Sequence, residues 1–183
     1  MANKKNKTAA TKRQDAQLID ATPCGELQWR QTSGAWIASV PKCDDVRGDP
    51  VKTAASPTIQ ALCTRLLGID GKMVCIQFKT NPILFEVLLI GGKTCHADHV
   101  KYQKGMQNEC FANSALVWSR NKNDYSIVLG FALSGHDQMW RCHAWVQTKR
   151  GTIIETTVPW KAYFGAVLPE QLSQSFLVTT GAG

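Results

Sequence analysis

The chain has 183 residues, 44 % of them hydrophobic, and a formal charge of +7. That length suits one domain whose core needs no disulfide or metal staple. The composition excludes a disordered or fibrous chain, and no apolar run approaches the roughly 18 residues of a membrane span.

The charge is concentrated in a tail. Lys4, Lys5, Lys7, Lys12 and Arg13 give the first 13 residues +5, and the other 16 basic and 14 acidic residues leave +2. Residues 1–20 therefore read as a disordered basic tail, and 21–178 as a single α+β domain. A nucleic-acid reader usually carries its positive charge on the fold, so the tail offers only weak contact with nucleic acid. No apolar h-region follows the lysines, and no secretory leader is expected. The seven cysteines, Cys24, Cys43, Cys63, Cys75, Cys95, Cys110 and Cys142, are odd in number and include no C-x-x-C pair. A reducing, cytoplasmic setting follows, in which most thiols act as small buried hydrophobes.

In chain order, Glu26–Val40 holds Trp29, Trp36 and Ile37 around Ser33-Gly34 and predicts a hairpin. The polar stretch 41–55 is a loop. Ser56 as N-cap and Pro57 at N1 start a helix through Ile59, Leu62, Cys63, Leu66 and Leu67, and Gly68 stops it. Lys72–Phe78 and Ile83–Ile90 read as β-rich segments separated by Asn81-Pro82. Cys95–Lys104 has no assignable pattern. Asn108 is the expected N-cap of a helix from Glu109 to about Ser119. Three strands follow: Tyr125–Leu133, Met139–Gln147 and Thr152–Thr157, the last two joined by Lys149-Arg150-Gly151. Pro159–Phe164 suggests one helical turn, and 179–183 a frayed end. The expected architecture is a nucleophile helix on an antiparallel sheet, with the chemistry within 105–168.

Cys110 falls in the first turn of its helix. Unpaired amides and the positive end of the helix dipole favour a thiolate there and can hold an oxyanion. His143 shares one strand face with Trp145 and Gln147. Hairpin pairing through Gln147–Ile153 and Val146–Ile154 puts Glu155 opposite Trp145 and diagonal to His143 on that face. A carboxylate there orients the ring and leaves its other nitrogen for Cys110. A slip of one residue would turn Glu155 to the opposite face.

The order Cys110 near a helix start, a Leu129-Gly130-Phe131-Ala132 strand, His143-Ala144-Trp145-Val146, a tight turn, then Ile153-Ile154-Glu155-Thr156-Thr157 resembles the transglutaminase-like branch of the papain-like superfamily. The likeness covers about a quarter of the chain. It implies Cys110 as nucleophile, His143 as base and Glu155, in place of the usual aspartate, as the orienting acid. It also implies an upstream glutamine at the oxyanion, for which Gln107 and Gln103 are the candidates. Asn113, one turn after Cys110, touches the site or anchors the helix, and Trp145 is a candidate for positioning substrate. The implied activity is a thiol-dependent hydrolase or acyltransferase on an amide or peptide bond, with a protein or peptide substrate. The competing reading is a catalytically silent binding or inhibitor protein of the same fold. Cys95-His96-Ala97-Asp98-His99 carries metal-capable side chains. A structural zinc needs four ligands, and no second cluster accompanies these, so no metal or cofactor is expected.

Overall fold

The structure, a computed structural model, describes residues 27–39, 56–77 and 82–181. The predicted basic tail, the loop of 41–55, Cys24 and Cys43 lie outside the described residues. The predicted hairpin is present as β1 (Gln28–Gln31) and β2 (Ala35–Ser39), paired antiparallel around the turn. Helix α1 (Pro57–Ile69) starts as expected, with the Ser56 hydroxyl accepting the Ile59 amide at 3.4 Å. It runs one residue past Gly68. The reversal falls instead at Gly71, whose φ of +90° suits glycine.

After β3 (Met73–Gln77) the expected strand 83–90 is a helix, α2 (Pro82–Gly91). The run Ile83-Leu84-Phe85 and Val87–Ile90 is apolar all round, so periodicity alone does not separate helix from buried strand. Tertiary contacts favour the helix. Phe85 and Leu88 are buried together, and the Arg65 guanidinium of α1 donates to the carbonyls of Leu89 at 2.7 Å and Gly92 at 3.1 Å. The unassigned segment holds β4 (Lys93–His96), a 3₁₀ turn over Ala97–His99 and β5 (Val100–Tyr102). Then come α3 (Cys110–Arg120), β6 (Tyr125–Leu133), β7 (Met139–Thr148) and β8 (Ile153–Glu155). The expected helical turn of 159–164 is instead the start of β9 (Ala162–Val167), and a helix not anticipated, α4 (Glu170–Thr179), follows.

The fold is mixed α and β, and its sheet is mixed too, which corrects the expected antiparallel one. The strands run β1-β2-β3-β7-β6-β9-β4, with β8 joined to both β7 and β5. β3 lies parallel to β7 and β5 parallel to β8, while the other pairs are antiparallel. The parallel pairs arise because front-half strands return beside back-half ones through long crossovers, a pairing that no local turn signals. Strand alternation sets the two faces. Ile127, Phe131, Leu133, Trp140 and Val146 lie under the helices with Leu62, Leu66, Val117 and Trp118. Val128, Ala132, Trp145, Ile153 and Tyr163 form a cluster on the opposite face with Cys95, Val100 and Trp160. No helix among the described residues is long and apolar enough to cross a membrane.

One interruption positions the site. β6 pairs with one edge of β7 over 140–148. The other edge pairs with β3 over 139–141 and with β8 over 146–147, and 142–145 have no strand partner there.

Candidate active site

The hairpin across Lys149-Arg150-Gly151 forms in the expected register, with Gln147 opposite Ile153 and Val146 opposite Ile154. Glu155 therefore shares a face with His143, and its Oε2 lies 2.9 Å from His143 Nε2. Both side chains are almost wholly buried. The carboxylate is held by four further donors. Tyr163 donates its hydroxyl to Oε2 at 3.2 Å, and the Thr156 amide, the Thr157 amide and the Thr157 hydroxyl each donate to Oε1 at 2.8 Å. A buried carboxylate with this many donors keeps its charge. Burial pushes the Glu155 carboxyl up, but the hydrogen bond and charge of His143, with the Thr157 donors, outweigh it and hold the group below its usual range. Burial and the Glu155 charge push the Tyr163 phenol up, so Tyr163 stays a donor.

His143 stands at the unpaired stretch of the β7 edge, and the first turn of α3 shares a cleft wall with it. Cys110 is the first helical residue, one position earlier in the helix than expected. Glu109 is the N-cap, without a side-chain capping bond. Asn108, the expected N-cap, instead takes a left-handed conformation (φ 62°) that asparagine tolerates. The first amide of α3 bonded in helical fashion is that of Asn113, to the Glu109 carbonyl at 2.8 Å. The amides of Cys110, Phe111 and Ala112 precede it and have no acceptor within the helix.

The Cys110 thiol and the His143 imidazole lie side by side on one cleft wall, close enough to interact. Nε2 is committed to Glu155, which leaves Nδ1 as the ring nitrogen available to the sulfur. Burial alone would lower the imidazole's proton affinity. The neighbouring Cys110 thiol and the hydrogen bond and charge of Glu155 outweigh it, and His143 is raised to about 9. Cys63, a core thiol, is pushed up to about 12 by burial alone.

Backbone bonds fix α3 against β8. The Gln103 amide donates to the Glu155 carbonyl at 2.8 Å, and the Gly105 amide to the Thr156 carbonyl at 3.0 Å. The chain leading into Cys110 is thus stitched to the strand that carries Glu155. Asn113 closes the loop by accepting the Met106 amide at 3.0 Å and donating to the Met106 carbonyl at 2.7 Å. Its side chain is buried and is absent from the cleft wall, so of its two expected roles the structure gives it the anchoring one.

A cleft of about 780 Å3 opens over these groups, with Cys110, His143 and Gln107 on its wall. Trp145, expected to position substrate, does not line it. Its ring is fully buried, stacks on His143 with centroids 6.1 Å apart, and lies beneath Gly165, where a Cβ would come within 2.5 Å of the indole. Half-buried Trp160 takes the cleft-wall position instead, with its ring centroid 5.0 Å from that of His143. No protein-family model, curated protein or solved structure matches this chain.

Sequence reasoning missed Tyr163, Thr157 and Trp160. Thr157 carried a readable signal, since a hydroxyl two residues after a carboxylate often bonds it locally. Tyr163 and Trp160 carried none, because they reach the site through β9 and the turn before it. Among the described residues no group of three or more His, Cys, Asp or Glu side chains is placed to hold a metal ion.

Proposed function

We propose that the chain is a thiol-dependent enzyme of the papain-like superfamily, acting on an amide or peptide bond through Cys110, His143 and Glu155. The observation that carries the reading is the order of neighbours: a thiol at a helix N-terminus, beside a buried histidine whose Nε2 is held by a buried carboxylate. The Cys110 sulfur, its proton passed to His143, attacks the carbonyl carbon. The amides at the start of α3 and the Gln107 side chain are the donors for the resulting oxyanion. Collapse breaks the C–N bond, and the His143 imidazolium gives its proton to the departing amine. Water then attacks the thioester while His143 takes a proton from it. The C–S bond breaks, the acid leaves, and the thiolate–imidazolium pair is restored. Hydrolysis is favoured over cross-linking because it needs only water as acceptor.

Brief iodoacetamide labelling at pH 6, mapped by mass spectrometry, tests this. Cys110 should label before Cys63, Cys75, Cys95 and Cys142, and His143→Ala should remove that advantage. A Cys110 that reacts no faster than the other thiols would favour the silent binding protein instead. Against any amide substrate found, Cys110→Ala and His143→Ala are expected to abolish turnover.

A further inference from the structure

We infer that the acyl donor of this site carries a carboxylate close to the scissile amide. The inference rests on the proposed role of Cys110 and names the substrate class for it. Among the described residues of the cleft wall, Lys104 and Arg141 carry permanent charge, both positive, and no Asp or Glu is present. Asp137, outside the wall, binds the Arg141 guanidinium through both oxygens. Lys104 is exposed and in no ion pair among the described residues. The negative charge of Glu155 is taken up by its five donors behind His143.

Unpaired hydrogen-bonding groups point the same way. Thr156 and Trp160 both line the cleft, and Thr156 Oγ1 and Trp160 Nε1 are buried with no hydrogen-bond partner among the described residues. Thr156 is 3 % exposed, and its backbone is pinned on both sides, by Glu155 Oε1 and by the Gly105 amide. The indole N–H can only donate. Buried donors are rarely left unpaired, and two in the cleft that holds Cys110 suit a ligand rich in acceptors. A carboxylate meets both requirements at once: it answers Lys104, the cleft-wall cation in no ion pair among the described residues, by charge and the two orphan groups by hydrogen bonding.

The test uses the full chain and two alkylating reagents of nearly equal size, anionic iodoacetate and neutral iodoacetamide. Their rate ratio at Cys110 is compared with the ratio for free 2-mercaptoethanol. The ratio at Cys110 is expected to be higher by about tenfold, as in a cleft that focuses positive potential, and to fall as salt is added. Lys104→Gln should lower it about threefold, the effect of one unit charge several ångströms away in water, and Thr156→Val should lower it further. Protection of Cys110 from iodoacetamide by N-acetylglycine or by N-acetylglutamic acid α-amide separates a terminal carboxylate from a side-chain one. A Cys110 that iodoacetamide labels fastest of all the thiols, but with the ratio of 2-mercaptoethanol, overturns the carboxylate inference and leaves the thiol reading standing. A Cys110 with no advantage toward iodoacetamide overturns both.

Discussion

Glu155 is a buried anion with five donors, and the protonation of His143 depends on it. Glu155→Gln keeps the volume and lets the Thr156 and Thr157 amides donate to the new carbonyl, but it removes the charge that favours imidazolium. His143 should then titrate well below about 9, read from its ring resonances by NMR, while a residue of activity survives. The same shift makes a stability prediction. The folded-state value of His143 lies above its ordinary 6.5, so its protonation stabilises the fold fully below pH 6.5 and progressively less as pH rises through about 9. Melting temperature should therefore fall between pH 6.5 and 9.5 in the wild type, and the fall should be shallower in His143→Gln. Equal slopes in the two proteins would dismiss the linkage. Glu155 acts in the opposite direction: its depressed carboxyl stabilises the fold above its ordinary value of 4.5, and the contribution is lost on acidification.

At the scale of elements, the geometry depends on how α3 meets β8. Helix α3 has no side-chain N-cap bond, so the stitching of 103–106 must hold its first turn. Asn113 contributes both a donor and an acceptor to that loop, and Gly105 leaves room for it; a Cβ on Gly105 would sit 2.5 Å from the Asn113 side chain. Asn113→Ala removes both bonds to Met106 and should cost about 1–3 kcal/mol. It should also slow iodoacetamide labelling of Cys110 under conditions where circular dichroism reports a folded protein. An unaltered labelling rate would mean that the backbone bonds to Glu155 and Thr156 suffice by themselves.

Across the whole molecule, the sheet both buries the histidine and opens beside it. The seam between β6 and β9 brings Gly130 and Gly165 face to face, and a Cβ on Gly130 would collide with the Phe164 carbonyl oxygen and the Gly165 Cα. That collision is with backbone, which cannot rotate away. Gly130→Ala should therefore destabilise the fold by roughly 3 kcal/mol or more, measured by urea unfolding. The seam also carries Tyr163 toward Glu155 and seats Trp145 under Gly165, so the variant should lose the Cys110 labelling advantage along with stability.

What the sequence determined by itself is local. The boundaries of β6 and β7, the turn Lys149-Arg150-Gly151 and the register carrying Glu155 to the His143 face are legible because each depends on neighbours a few residues apart. The Ser56–Pro57 start of α1 is legible for the same reason. Tertiary structure alone decided that the apolar run 83–90 is a helix capped by Arg65, and that 162–167 is a strand paired with β6. It also set β3 and β5 parallel to strands far along the chain. Those choices depend on partners dozens of residues distant, whose identity no local period or turn records. The meeting of Cys110 with His143 lies between the two cases. Each residue stands out by its local position, but their meeting on one cleft wall, where β3 and β8 leave a stretch of β7 unpaired, is tertiary.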